Sequence, residues 1–318
     1  MLRIHYLARL IIVAALVIGL PASAHARQDT EIKSVLVTGA STGIGRHAPE
    51  TQVSSGYHVY AGAKKDKDLA RLNAINNITA VRLDVTKQNE IGAAVAFIEA
   101  KGTGVYALVN SAGISNGGAI AETPIENHNM AYAINVGGVY RITNTLSPLV
   151  VASKARIAVT GSIAGTIARA GSNADSGNKH RIEALTNSFA LETAPQGVKV
   201  GIIAPVNYQT NIRRSGTLRT LAKVQAAGEK STSDLKNSLI ATTTYALSFK
   251  NLDEFSAAFM PLLFHEKSLR RHTLAPNQQA QLPTISTKIN QLVELNQWNP
   301  YGNGRHEIVA MLDKAIAQ

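Results

Sequence analysis

Ser34-Val35-Leu36-Val37-Thr38-Gly39-Ala40-Ser41-Thr42-Gly43-Ile44-Gly45-Arg46 decides how this chain is read. The apolar run Val35-Leu36-Val37 predicts a buried strand. The chain then turns on Gly39, and a helix is expected to begin near Gly43. Gly39 permits a tight turn out of the strand. Gly43 lets backbone approach a pyrophosphate with no Cβ in the way, and Gly45 lets the new helix pack closely on a sheet. The helix N-terminus then presents unpaired N–H groups and the positive end of its dipole to phosphate. The spacing is T-G-x-x-x-G-x-G, which on its own also fits a plain structural turn.

Working outward, the glycine helix should run to about Ser55, with Pro49 removing one of its hydrogen bonds. A second strand is expected over Tyr57–Ala61, ending in Gly62-Ala63-Lys64-Lys65. No carboxylate stands there to accept from an adenosine ribose, and two lysines suit a 2′-phosphate, so NADP is favoured over NAD. Val81–Val85 reads as a third strand carrying Asp84, followed by a helix over Gln88–Glu99. Tyr106–Asn110 reads as a fourth strand, followed by Ser111-Ala112-Gly113. This alternation predicts an α/β fold, a Rossmann-type doubly wound parallel sheet with helices on both faces. Ligands bind such sheets at the carboxyl ends of the strands, where Gly39, Asp84 and Asn110 fall.

Taken together, these stretches resemble the short-chain dehydrogenase/reductase family over about residues 33–215. Thr38-Gly39-x-x-x-Gly43-x-Gly45, Leu83-Asp84-Val85 and Asn110-Ser111-Ala112-Gly113 carry the resemblance, the last with one change from N-N-A-G. The resemblance implies a nicotinamide dinucleotide held by Gly39, Ser41, Gly43, Ile44 and Gly45 at its phosphates. Lys64, Asp84 and Val85 would meet the adenosine. Asn110, Ala112, Gly113, Lys179, Pro205 and Thr210 would surround the rest. It also implies a small-molecule alcohol or carbonyl substrate and a homo-oligomer built on the helices around Asn135 and Lys179.

Family chemistry uses an asparagine, a serine, and a Y-x-x-x-K pair whose tyrosine protonates the substrate oxygen. Asn135, Ser162 and Lys179 match three of these. Thirteen residues after Ser162 and four before Lys179, where the tyrosine is expected, stands Asp175. A carboxylate beside a lysine favours its ionised form, is shorter than a phenol, and donates a proton poorly at neutral pH. Asp175 and Lys179 could equally form an i,i+4 salt bridge on an inactive scaffold. Tyr140 reads as a packed helix residue, and Tyr208 is the better substitute phenol. His180, five residues past Asp175, reads as a surface histidine. Val206 stands where the family has a glycine.

The remainder sets bounds. The chain has 318 residues, 45% hydrophobic and 17% charged, which supports a substantial core. Residues 1–26 combine Arg3 and Arg9, an apolar run Leu10–Leu20 and a small-residue A-x-A ending, which reads as a secretory signal and predicts a periplasmic protein. An uncleaved inner-membrane anchor is the alternative, and only then would membrane be a partner. Net charge is +11; removing 1–26 takes away two arginines and no acid, leaving +9. The basic residues are scattered, so solvated surface is favoured over nucleic acid. There is no cysteine, and no metal site is expected. Residues 33–250 are expected to form the dinucleotide-binding domain and 251–318 a helical extension of it. Within them, Arg213-Arg214-Ser215-Gly216 reads as a mobile loop near the substrate mouth, Asp253–Leu263 as a helix, and Pro283–Gln297 and Glu307–Ala317 as helices covering the sheet or pocket.

Overall fold

Strand β1 (Ser34–Val37) is buried at every residue, as a strand inside a parallel sheet covered on both faces must be. It pairs in parallel with β2 (His58–Ala63) on one side and with β4 (Ala107–Asn110) on the other. With β3 (Ile78–Arg82), β5 (Arg156–Thr160), β6 (Lys199–Pro205) and β7 (Arg271–Leu274), they form one seven-stranded sheet in the order β3-β2-β1-β4-β5-β6-β7. All six pairings are parallel. The computed structural model describes residues 33–121, 123–226, 233–253, 263, 270–297 and 300–317. The expected leader, 1–26, and Phe255 and Phe259 of the expected 253–263 helix lie outside the described residues. Among the described residues no helix is long and apolar enough to cross a membrane.

The period-2 alternation of the strands sorts their side chains into two cores. Leu36, Tyr60, Leu108 and Ile157 face one way and meet Ile91, Ile98, Ile142 and Ile182. These last come from α3 (Gln88–Lys101), α5 (Gly137–Ala152) and α6 (Asn173–Thr193). Val35, Val37, Val59 and Val109 face the other way, with Leu72 of α2 (Asp66–Asn73) and Leu263. Helix α1 (Gly43–Ser54) starts at the second glycine as expected and continues through the buried Pro49.

Several boundaries depart from the sequence reading. The third strand lies three residues earlier than expected, so Asp84 stands just past its end. Helix α6 begins at Asn173 and therefore carries Asp175 and Lys179 on one continuous helix. Residues 213–216 are not a loop; they form the first turns of α7 (Ile212–Ala226), which is followed by α8 (Ser233–Leu247). The 251–318 segment contributes strand β7, hydrogen-bonded along β6 from Ile202↔Arg271 to Pro205↔Leu274, as well as helices. Its helices α9 (Gln278–Gln297) and α10 (Arg305–Ile316) do not cover the sheet: Thr284 is the one buried residue of α9 and α10 has none. Leu282, Ile285, Ile289 and Leu292 are exposed.

The junction of β1, α1 and β4 leaves no room for side chains. A Cβ on Gly45 would lie 2.3 Å from the Gly39 carbonyl oxygen, and one on Gly39, at φ +70°, would lie 2.7 Å from Ala112 Cα. Gly177, on the exposed side of α6, has open space around its Cα. Gly45→Ala should therefore lower the unfolding free energy by about 1–3 kcal/mol, because backbone must shift. Gly177→Ala should raise it by up to about 1 kcal/mol, through helix propensity alone. Urea denaturation of both variants checks this; equal effects of the same sign would contradict the packing described.

Candidate active site

The carboxyl ends of β1, β2, β4, β5 and β6 open into one cavity of about 480 Å³. At its near end lie Gly39, Ser41, Gly43, Ile44 and Gly45. Thr42 is the N-cap residue of α1, and its side chain makes no capping bond. The first N–H groups of α1 thus remain as donors beside the cavity, which is what an anionic phosphate requires. The Thr38 hydroxyl accepts from the N–H groups of Ser111 (3.0 Å) and Ala112 (3.1 Å), fastening the turn after β4 to the glycine turn. A Cβ on Gly43 would stand 3.8 Å from Thr210, so the loop after β6 closes over the same point.

Further along lie Lys64, Asp84 and Val85. The Lys64 ammonium is 3.5 Å from Asp84. Burial raises the Asp84 pKa, but bonds from the Thr86 N–H and hydroxyl, together with the Lys64 charge, outweigh it and hold the group below the usual carboxylate range. Ala112, Gly113, Pro205 and Thr210 complete this part of the wall. Asn110 does not line it. Its side chain is buried and donates to the Thr143 hydroxyl of α5 at 3.2 Å.

Ser162, Asp175 and Lys179 meet at the far end. Ser162 caps a short 3₁₀ turn, its Oγ accepting from the Ala164 N–H at 3.1 Å, which leaves the hydroxyl hydrogen to donate elsewhere. The Lys179 ammonium is desolvated and donates to the Thr160 carbonyl at 2.7 Å. Burial lowers its pKa to about 8, against the opposing pull of Asp175 and Glu183. The ammonium therefore persists at neutral pH. Asn135 ends α4 (Ile125–Asn135) and stands outside the lining. It clasps the backbone of Ile114, accepting from its N–H and donating to its carbonyl, both at 2.8 Å. Ile114 itself faces the cavity.

Asp175 does not form the i,i+4 salt bridge with Lys179 that the spacing allowed as an alternative; among the described residues it makes no ion pair. Its carboxylate instead takes the Ser115 hydroxyl at 2.7 Å and the Asn116 N–H at 2.9 Å. From the opposite side Arg219 of α7 donates to the Ser115 carbonyl at 2.6 Å. Burial lowers the Arg219 pKa while Asp175 raises it. Asp175 thus latches the loop after β4 to α6, and Arg219 pins α7 to the same loop. The sequence reading missed Ser115, Asn116, Arg169 and Arg219, because nothing in their spacing marks residues that meet only through the fold. Tyr140, expected to pack, is exposed. Tyr208 is buried against the core that holds Val37 and lines the cavity. His180 is exposed, as expected for a surface histidine.

Comparison with known proteins follows this geometry. The profile of the short chain dehydrogenase family matches residues 33–219, more than half of the chain. The uncharacterized oxidoreductase YbbO of Escherichia coli K12 is 30% identical over 180 residues, covering 56% of this chain and 66% of its own. The chain spans 54–66% of the length of the curated relatives it first matches. A short-chain dehydrogenase structure from Streptomyces avermitilis superposes with a TM-score of 0.68 at 27% identity, covering 84% of this chain and 95% of that one. One from Burkholderia cenocepacia, in complex with NADP, does so with a TM-score of 0.65 at 19% identity, covering 84% and 98%. The sheet order, the glycine turn and the matched profile agree, and the chain belongs to the short chain dehydrogenase family.

Proposed function

We propose that this chain is an oxidoreductase acting on an alcohol or carbonyl compound with a nicotinamide dinucleotide, NADP(H) in preference to NAD(H). The observation that carries the reading is a single cavity that joins the uncapped start of α1, the Lys64 ammonium, and the Ser162–Lys179 pair. The residues fit the dinucleotide. The α1 N–H groups suit its pyrophosphate. Lys64 is more than half exposed and already offsets Asp84, so a 2′-phosphate would meet a cation there rather than a bare carboxylate. Bound, the nicotinamide would supply or accept the hydride. Ser162 would donate its hydroxyl hydrogen to the substrate oxygen. Lys179 would place a positive charge beneath the same site, favouring an oxygen that gains negative charge.

Asp175 supports slow chemistry. A carboxylate held by two donors on the loop has no proton to give and repels a developing alkoxide. The same contacts favour a second reading, a cofactor-binding protein without turnover, in which Asp175 serves only as a latch. Turnover of a carbonyl panel with NADPH distinguishes the two. Asp175→Tyr should raise turnover by about 10²–10⁴, the worth of a well-placed general acid. An unchanged or lower rate, with NADPH binding intact, would contradict the catalytic reading.

Lys179 gives a pH test. The unfolded lysine titrates near 10.5 and the folded one near 8. Between these values the unfolded chain binds more protons, so the contribution of Lys179 to stability rises with pH and is lost as pH falls through about 8. The difference in unfolding free energy between the wild type and Lys179→Met, measured without cofactor, should therefore increase between pH 7.5 and 10. The full change is on the order of 3 kcal/mol. A flat difference would show that the ammonium is not desolvated.

A further inference from the structure

The wall of the cavity around Asp175 carries more cations than a neutral alcohol or carbonyl needs. Arg169, in the turn before α6, and Arg219, on α7, both line it, as does Lys179, which donates to the Thr160 carbonyl at the end of β5. Asp175 is the acidic residue of this part of the lining, and its oxygens are already met by Ser115 and Asn116. Among the described residues the Arg169 guanidinium has no hydrogen bond or ion pair. Arg219 is only partly exposed, and among the described residues it pairs with no carboxylate, donating one N–H to the Ser115 carbonyl. Burial works against its charge. A guanidinium kept desolvated and without a carboxylate costs stability, and a planar fork of donors suits a bidentate anion.

These arginines are separate from the phosphate end of the cavity. Arg213, three residues beyond the Thr210 that closes over Gly43, lines the cavity with its guanidinium 5.8 Å from the centre of the Tyr245 ring. Arg219 lies two helical turns further along α7 and reaches Ser115, on the Asp175 side. Arg169 precedes Ser172 and Ser176, whose hydroxyls are 3.1 Å apart on the same wall. Arg169 and Arg219, from two separate segments, thus line the side of the cavity where the substrate, and not the dinucleotide phosphates, would sit.

We propose that the substrate is an anionic carbonyl or alcohol compound whose carboxylate or phosphate is held by Arg169 and Arg219. The proposal deepens the oxidoreductase reading and rests on it for the location of the substrate. It makes substrate choice a matter of charge at one end of the molecule. Arg219 has two tasks, the substrate anion and the Ser115 carbonyl, whereas Arg169 has only the first. Removing Arg169 should therefore affect anion affinity without disturbing the loop.

The test is calorimetric binding to the full chain, with and without NADP, of two matched pairs: a short 3-oxo acid and its methyl ester, and dihydroxyacetone phosphate and dihydroxyacetone. One anionic member should bind about tenfold more tightly than its neutral partner, the usual scale of a charge-assisted pair. Which pair shows the preference identifies carboxylate or phosphate. In Arg169→Met the preference should fall to near unity while NADP affinity stays unchanged. Arg219→Met should reduce it as well, and Arg219→Lys should restore part of it. Equal affinities within both pairs, or no binding of any of the four, would overturn the proposal. If the anion preference holds while NADP fails to bind, the anion site stands and the dinucleotide reading falls.

Discussion

The close approach of three backbone segments, with no side chain between them, governs this structure. The Gly39 turn, the first turn of α1 at Gly45 and the turn at Ala112 meet at distances that a single Cβ would violate. The Thr38 hydroxyl ties two of them by accepting from Ser111 and Ala112. From that junction follow the crossover between β1 and β4, the outward aim of the α1 N-terminus and the cavity at the strand ends. A parallel sheet with this strand order places its ligand crevice at that reversal.

On the far side of the cavity the constraint is electrostatic. The Lys179 ammonium is desolvated with a carbonyl for a partner rather than the carboxylate one turn before it. Asp175 is drawn away by the Ser115 hydroxyl and the Asn116 N–H, some sixty residues distant in sequence. Asp175 therefore has a structural task of its own. Its carboxylate bonds α6 to the loop after β4, a link that Arg219 extends to α7. Loop, helix and cavity mouth are coupled through Ser115.

What the sequence made legible follows from how local each signal is. The glycine spacing and the apolar runs of the central strands are short-range patterns, and the structure shows the elements they implied. The partners of Asp175 were not legible, because Ser115 and Asn116 meet it, and Arg219 meets Ser115, through tertiary packing alone. The salt bridge suggested by i,i+4 spacing lost to donors that no spacing reports. Tyr140 misled because the buried stripe of α5 runs through Val139, Ile142, Leu146 and Val150, one position off its own face. Residues 213–216 looked like a loop because two arginines, a serine and a glycine are weak helix signals; the helix they begin packs close to Ser115, 3.1 Å from a Cβ built on Gly216. Strand β7 lacks an apolar run altogether, and as an edge strand it needs none.

The claim on which the rest stands is that the uncapped α1 terminus and Lys64 form a working dinucleotide site. Titration of the purified protein with NADPH and NADH, followed by the fluorescence of the reduced nicotinamide, tests it directly. The account predicts saturable binding of both, with NADPH tighter by about tenfold because Lys64 meets its 2′-phosphate. Absence of saturable binding with either nucleotide would mean that the glycine junction serves only as scaffold, and would contradict the account.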